Sequence, residues 1–199
     1  MIIKELELKG VFEIQLESVC DNRGNFSRVY DDKIFLDNNL NIDWVQENHS
    51  HTIHKDTIRG MHFQFPPYSE TKLVRIVNGI IYDVFVDLRK DSATFGKWSS
   101  IILSANDNKM VLIPRGFAHG YCTLTNNCDV LYKVDNYYTP IKENGIIWND
   151  EDLNIDWYDK CMQFNVRSNK LYKPIVSSKD SNLITFKTFK EVYGSIDLK

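Results

Sequence analysis

The sequence predicts an all-β fold of the sandwich or barrel type, and three observations support this prediction. Short segments rich in Ile, Val, Tyr and Phe alternate with Asn, Asp, Gly and Pro between residues 6 and 138, which is the spacing of such folds. Helical periodicity is scarce over the same residues. An Asn-Gly pair at positions 78 and 79 separates two β-branched segments, which is a strong signal for a tight turn.

The predicted elements follow one another at short intervals. In chain order, the predicted strands are LELKGVFEIQL, NFSRVY, DWVQENHS, TIRGMHFQ, KLVRIV, IIYDVFVDL, WSSIILS, KMVLIP, GYCTLT and VLYKVDNYY. A short helix is expected at DDKIFLDNNL, and NLITFKTFKEVYG predicts a terminal helix that ends at Gly194. The length of the chain fits a single domain spanning residues 1–199.

The segment KLVRIV-NG-IIYDVFVDL predicts a β-hairpin, because Asn and Gly favour the positive φ angles of a type I′ turn. Pairing outward from that turn places six side chains on one face: Lys72, Val74, Ile76, Ile81, Asp83 and Phe85. Both faces are largely apolar, so we expect the hairpin to lie inside a two-sheet structure. A lysine there needs a partner or a ligand. An ion pair with Asp83 and a functional site remain equally open.

The composition excludes several classes of protein. The net charge is −3 and the pI about 6.0, without a run of Lys or Arg, so we expect no nucleic-acid partner. No segment has the roughly 20 apolar residues of a membrane span, and MIIKELELKG lacks the features of a signal peptide. We therefore expect no membrane association and a cytoplasmic location. The four cysteines form no CxxC pair and are expected to be reduced thiols without a chemical role.

The histidines fall into two groups. His49, His51 and His54 occur in the polar segment ENHSHTIHKD and are expected to be exposed. His62 lies in a predicted strand, where alternation places it on the same face as Gln64. Arg59 has the opposite parity, so it joins that face only if Gly60 forms a β-bulge.

The segments G-x-H-x-Q and P-x-G-x-x-x-H-G resemble the two motifs of the cupin double-stranded β-barrel. Metal-binding cupins carry His-x-His and a glutamate in the first motif and a further histidine in the second. In this chain Gln64 replaces one histidine, and an amide is a poor ligand for transition metals. His62 and His119 are fewer than the three protein ligands of a typical catalytic metal site. We expect no metal and no other cofactor, which leaves His62 available for proton transfer.

Further segments resemble the dTDP-4-dehydrorhamnose 3,5-epimerase family of cupins. The matching segments are DNRGNFS (21–27), WVQENHS (44–50), IRGMHFQFPP (58–67), KLVRIVNGIIYDVFVDLRKDSATFGKW (72–98), LIPRGFAHGY (112–121), YKVDNYYTP (132–140) and GIIWNDEDLNIDW (145–157). The resemblance implies a cupin jelly-roll barrel over about residues 10–157, with short peripheral helices and a C-terminal extension over about 158–199. It also implies a homodimer and a nucleoside-diphosphate 4-keto-6-deoxy sugar as substrate, epimerised at C3, C5 or both.

The resemblance also implies a set of catalytic residues. His62 matches the base, and Asp180 in the segment SSKD matches the carboxylate that orients it. The link between residues 157 and 177 is longer than in the family, so Asp83 stays open as an alternative partner. Tyr132 matches the proton donor on the opposite face of the sugar, and Lys72 matches the cation near the sugar oxygens.

The remaining matches are binding residues. Arg59 matches a ligand of the diphosphate or sugar, which suits its planar guanidinium. The others are Arg23 and Phe26, offered by the neighbouring subunit, together with Gln46, Asn48, His119, Tyr138 and Glu143. Arg28 departs from the family, which usually has an acidic residue there, so the identity of the nucleotide stays open.

Three alternative functions remain open at this stage. The first is an epimerase that inverts a single centre or acts on a 4-keto heptose. The second is a metal-dependent cupin oxygenase, against which Gln64 argues. The third is a non-catalytic sugar-binding cupin, although binding alone does not require opposed acid and base groups.

Overall fold

The computed structural model describes residues 1–157, 161 and 173–198, and these residues form mainly β-strands. The strands are β1 (Ile2–Glu5), β2 (Phe12–Gln15), β3 (Ser18–Asp21), β4 (Gly24–Ser27), β5 (Gln46–Thr52), β6 (Thr57–Gln64), β7 (Lys72–Asn78), β8 (Ile80–Asp87), β9 (Trp98–Ser104), β10 (Lys109–Ile113), β11 (Phe117–Thr123), β12 (Cys128–Val134), β13 (Glu143–Gly145) and β14 (Ile175–Val176). The helices are α1 (Asp32–Asp37), a 3₁₀ turn (Pro140–Lys142), α2 (Ser178–Ser181) and α3 (Phe186–Tyr193). Most of the long link expected before the SSKD segment lies outside the described residues.

The strands form two six-stranded sheets and a separate hairpin. The first sheet has the order β1-β2-β10-β7-β12-β5. The second has the order β13-β6-β11-β8-β9, with β14 added in parallel beside β6. The other pairings in the two sheets are antiparallel, and among the described strands β3 and β4 pair only with each other. The predicted all-β fold is confirmed.

The predicted hairpin at Asn78-Gly79 is wrong. Strand β7 pairs with β10 and β12 in the first sheet, whereas β8 pairs with β9 and β11 in the second. Asn78 ends β7 and Gly79 turns the chain into the other sheet with φ +88°. Each strand buries side chains on both faces, so pairing within two separate sheets removes more apolar surface from water than a local hairpin would.

The space between the two sheets holds the central core. Val74 and Ile76 of β7 and Ile81 and Phe85 of β8 belong to one buried cluster there. These side chains therefore meet across the interior, as opposed walls and not as neighbours on one surface. Strand β8 also buries its other face, which explains why apolar residues occur on both faces of this strand.

Each sheet is also covered on its outer face. Phe186 and Phe189 of α3 belong to the buried cluster on the second sheet, and α3 ends at Gly194 with φ +70°, as predicted. Phe35 of α1 packs into the cluster on the first sheet, and the short helix predicted there is confirmed. Among the described helices, none combines the length and the apolar character needed to cross a bilayer.

Candidate active site

A cavity of about 540 Å³ lies between the two sheets, a size typical of small-molecule sites. Strands β5, β7 and β12 of the first sheet form one side, and β6, β11 and β13 of the second sheet form the other. The segment around α2 contributes to the lining. Residues distant in sequence therefore share one chamber.

All but two of the expected site residues line this cavity. They are Gln46, Asn48, Arg59, His62, Lys72, His119, Tyr132, Tyr138, Glu143 and Asp180. Arg23 and Phe26 lie on the β3–β4 hairpin and are absent from the lining. Strand alternation explains part of this arrangement, because Gln46, Asn48 and Ser50 all point inward from β5.

The outward-facing histidines of β5 are exposed, as predicted. His49 Nε2 and His51 Nδ1 each lie 2.8 Å from Asp129 Oδ1 on the neighbouring strand, and His54 is exposed as well. These hydrogen bonds lie outside the cavity. They lower the pKa of Asp129, with His51 making the largest contribution.

A β-bulge at Gly60 brings Arg59 and His62 to the same chamber. His62 pairs with His119 and Arg59 pairs with Tyr121. Strand β6 thus has two residues between these pairs, whereas β11 has one, and this difference is a β-bulge. The extra residue reverses the parity of Arg59, so the condition stated from the sequence for Arg59 to join the face of His62 is met.

Only glycine fits at the centre of this bulge. Gly60 has φ +123°, and a Cβ there would lie 2.5 Å from the Cα of Gly120. Both the backbone conformation and the close approach of β11 therefore exclude a side chain. On one side of the bulge, the Arg59 guanidinium donates from Nε to Thr52 Oγ1 at 3.1 Å, which helps to fix its direction.

His62 is held by Asp180. Its Nε2 lies 2.7 Å from Asp180 Oδ1, while Asp180 Oδ2 accepts a hydrogen bond from the Gly60 N–H at 3.1 Å. Ser177 caps α2 by accepting from the Asp180 N–H at 3.0 Å, so the helix start directs the carboxylate. Burial acts to raise the pKa of Asp180, but the hydrogen bonds from His62 and Gly60 outweigh it and the pKa lies below its usual range.

Asp83 pairs with His119 and not with Lys72 or His62, the two partners considered from the sequence. Its Oδ2 lies 2.9 Å from His119 Nε2, and both side chains are buried. The ion pair considered between Lys72 and Asp83 is wrong, because the two residues lie on separate sheets and Lys72 Nζ instead contacts Glu70 Oε1 at 3.1 Å.

Tyr132 enters the cavity from β12, on the sheet opposite His62. Burial raises the pKa of its hydroxyl above the usual value, and the charges of Glu70 and Glu143 raise it further, while Arg59 acts in the opposite direction. Tyr132 therefore keeps its proton at neutral pH. A protonated phenol can serve as a hydrogen-bond donor or a general acid.

At the mouth of the cavity, Glu143 joins two elements. Its Oε2 accepts from Tyr138 Oη at 2.7 Å and from Lys179 Nζ at 2.6 Å. Burial acts to raise the pKa of Glu143, but these two hydrogen bonds and the Lys179 charge lower it overall. The hydrogen bond to Glu143 is also the main reason that the pKa of Tyr138 is raised.

Sequence reasoning missed five polar residues that line the cavity: Ser50, Glu70, Tyr121, Ser177 and Lys179. Two of these residues could have been found by their nearness to expected site residues. Glu70 lies two residues before Lys72, and Lys179 directly precedes Asp180. Ser50 Oγ and Tyr121 Oη lie 2.9 Å apart, a contact between strands of different sheets that no local pattern indicates.

The side chains of His62, Gln64 and His119, which come from the two cupin motifs, all make hydrogen-bonding contacts within the protein. His62 and His119 contact aspartates, and the Gln64 amide contacts backbone groups: its Oε1 accepts from the Thr139 N–H at 2.6 Å. Within the described part of the chain, no three His, Cys, Asp or Glu side chains are grouped to hold a metal ion.

Comparison with known proteins identifies the family. The family model for dTDP-4-dehydrorhamnose 3,5-epimerase matches residues 5–188. The dTDP-4-dehydrorhamnose 3,5-epimerase of Shigella flexneri is 37% identical over 183 residues, which cover 92% of this chain and 94% of that protein. The chain belongs to the dTDP-4-dehydrorhamnose 3,5-epimerase family.

Solved structures of similar epimerases share this fold. The enzyme from Bacillus anthracis, solved with TDP and PPi bound, is 38% identical with a TM-score of 0.84, covering 92% of this chain and 98% of that one. The Legionella pneumophila 3,5-epimerase in complex with dTDP-4-keto-L-rhamnose is 31% identical with a TM-score of 0.82, covering 92% of each chain. The cupin-like barrel, the isomerase class and the nucleotide-sugar epimerase function expected from the sequence are confirmed at the level of this family.

The epimerase fold should depend on pH through Asp180. Its pKa is lowered on folding, so the ionised carboxylate stabilises the fold above the unfolded pKa of about 3.9, and this contribution is lost as pH falls through the lower, folded pKa. Asp180→Asn should therefore reduce the free energy of unfolding at pH 7 by about 1–3 kcal/mol. Below about pH 4 the difference from wild type should shrink. Urea unfolding at several pH values measures it.

The matched control is Asp152→Asn, which removes an exposed carboxylate 3.3 Å from Lys190 and should change stability little. Two results would contradict a stabilising role for the ionised Asp180 carboxylate. One is an equal loss of unfolding free energy in the two variants, and the other is a loss in Asp180→Asn that stays constant at all pH values.

Proposed function

We propose that this chain inverts both C3 and C5 of a dTDP-linked 4-keto-6-deoxy sugar, with His62 as base and Tyr132 as acid. One observation carries the proposal: the two side chains line a single cavity from opposite sheets. The 4-keto group acidifies the hydrogens at C3 and C5, because removal of either gives an enolate. Inversion then requires a base on one face of the ring and an acid on the other.

Several contacts support His62 as the base. Its imidazole is partly exposed to the cavity, with 27% of the side chain accessible, while Asp180 behind it is 5% accessible. A carboxylate in that position fixes the ring and stabilises the imidazolium that forms when a proton is taken. His62 Nε2 faces Asp180, so the ring's Nδ1 is the atom left to meet the substrate.

Two groups support stabilisation of the enolate. Lys72 brings an ammonium into the chamber and His119 lies in the opposite wall. A cation near the developing oxyanion favours the transition state most strongly in a chamber that excludes water. Arg59, held at the bulge, offers a planar donor array suited to phosphate or sugar oxygens.

The nucleotide assignment draws on two relatives. TDP is bound in the Bacillus anthracis structure and dTDP-4-keto-L-rhamnose in that from Legionella pneumophila. Arg28, the departure from the family pattern, lies 3.1 Å from Asp31 at the N-cap of α1 and outside the cavity lining.

We also propose a homodimer in which the β3–β4 hairpin of one subunit completes the cavity of its partner. Phe26 is 69% exposed and its cross-strand neighbour Val19 is 74% exposed. The Arg23 side chain is 84% exposed. A paired apolar surface on a hairpin that belongs to neither sheet is suited to an interface. The family resemblance supports this proposal, because it implies that Arg23 and Phe26 act in the site of the neighbouring subunit.

His62→Ala should slow exchange of the substrate C3 and C5 hydrogens by at least about 100-fold, because the variant lacks the proposed base. The assay incubates dTDP-4-keto-6-deoxyglucose with enzyme in deuterium oxide and follows both positions by NMR. Affinity for TDP should be retained. His54→Ala, which alters an exposed histidine, is the control, and full exchange in His62→Ala would remove the base assignment. Wild-type exchange at one carbon alone would indicate a single-centre epimerase.

Tyr132→Phe should slow inversion more than it slows the first deprotonation. The enolate still forms in this variant and is reprotonated from the original side, so deuterium enters with the starting configuration. We expect inversion to fall about 100-fold while exchange falls less than about tenfold. Tyr193→Phe on α3 serves as the control. Equal losses in inversion and exchange would argue against Tyr132 as the acid.

Co-expression of Arg23→Ala with His62→Ala should restore activity if the hairpin acts across a dimer. Each variant alone should be weakly active or inactive, whereas a heterodimer contains one complete cavity. Random pairing makes roughly one quarter of all sites complete. Turnover of co-expressed and separately purified proteins, with the mass measured by light scattering, tests this. A monomeric mass or no regained activity would contradict it.

A further inference from the structure

Glu70 is a partly buried carboxylate that lines the cavity and has no role in the reaction scheme proposed above. It lies on the loop between β6 and β7, and 11% of its side chain is accessible. Both of its oxygens are engaged: Oε1 lies 3.1 Å from Lys72 Nζ, and Oε2 accepts from Gln64 Nε2 at 3.1 Å. A carboxylate bound at both oxygens has a defined direction.

Gln64 is in turn fixed by the backbone. Its Nε2 also donates to the carbonyl of Tyr68 at 3.0 Å and lies 3.3 Å from that of Tyr137. Its Oε1 accepts from the Thr139 N–H at 2.6 Å, so the orientation of the amide is determined. The residue that replaces a metal ligand in the cupin motif therefore anchors Glu70 to two loops.

Lys72 needs such an anchor. A lysine side chain has four rotatable carbon–carbon bonds and a point-like charge, so holding its ammonium at one place costs conformational entropy. Oriented charges stabilise a transition state only if they are positioned before the reaction. With one donor taken by Glu70, the remaining N–H groups of Lys72 stay available to the cavity, where 11% of the side chain is accessible.

We propose that Glu70 is a positioning residue for the epimerase, holding the Lys72 ammonium in the cavity through the chain of contacts Gln64–Glu70–Lys72. This inference rests on the proposed function, because Lys72 matters only if negative charge develops beside it.

The charge of Glu70 has a second effect, on Tyr132. It is the first of the two negative charges that add to burial in raising the pKa of that hydroxyl. The ionisable and charged groups that act on Tyr132 or share its cavity wall are Glu70, Glu143, Arg59, Lys72, Tyr121 and Tyr138. Loss of the Glu70 charge should lower the pH at which Tyr132 loses its proton.

The test compares Glu70→Gln, Glu70→Asp and Glu13→Gln. The control, Glu13→Gln, removes another Glu–Lys pair of the first sheet, 3.4 Å from Lys109 and outside the cavity. We expect Glu70→Gln to lower kcat on the order of tenfold with KM changed less than about threefold, since an interaction of the transition state is lost. The alkaline limb of the pH profile of kcat should move to lower pH.

Glu70→Asp keeps the negative charge but has a shorter side chain. It should leave the alkaline limb at the wild-type pH and still lower kcat.

The outcomes separate the two proposals. Wild-type enzyme that exchanges no C3 or C5 hydrogen in deuterium oxide overturns the proposed function and this inference with it. Wild-type exchange together with unchanged kcat and an unchanged pH profile in Glu70→Gln overturns the role of Glu70 alone, as does an equal loss in Glu13→Gln. If Glu70→Gln does not fold, Glu70→Asp decides: wild-type kcat in that variant overturns the positioning role.

Discussion

The geometry of the site depends on the carboxylate of Asp180. It accepts from His62 at one oxygen and from the Gly60 N–H at the other, so one side chain secures both the imidazole and the bulge that turns Arg59 inward. Two anchored donors explain why its pKa is lowered in spite of burial. The same contacts attach the C-terminal segment to β6, which β14 reinforces by pairing with that strand. The C-terminal segment is therefore part of the cavity wall.

The charged groups of the cavity occur in oppositely charged or hydrogen-bonded pairs. Lys72 contacts Glu70, Lys179 contacts Glu143, and the two histidines contact aspartates. Pairing limits the cost of withdrawing these charges from water, and it fixes each group before a ligand arrives. A substrate with a diphosphate and a keto sugar would then compete for cations that are already oriented. The cavity therefore presents charged groups whose directions are set by their partners.

Much of the fold could be predicted because its signals are local. Alternating and β-branched segments located most strands of the barrel, and the cap at Gly194 located the end of the last helix. The short β1, β13 and β14 carry no comparable signal, since their formation depends on partners elsewhere. The Asn-Gly prediction failed for the opposite reason: its local signal was strong, but burial of β7 and β8 on both faces favoured two separate sheets. The face shared by Val74 and Phe85 became two opposed walls of one interior.

The sequence by itself determined the family, the β-rich class and the identity of most cavity residues, because motif residues and strand alternation are written along the chain. It also indicated the bulge at Gly60, since a glycine between Arg59 and His62 is the local means of reversing parity. Only the tertiary structure decided which carboxylate meets which histidine and which partner Lys72 takes. His62 and Asp180 are separated by 118 positions, and Asp83 and Asp180 offer the same chemistry. Choosing between identical carboxylates requires their positions in space, which arise from packing the two sheets and the C-terminal segment together.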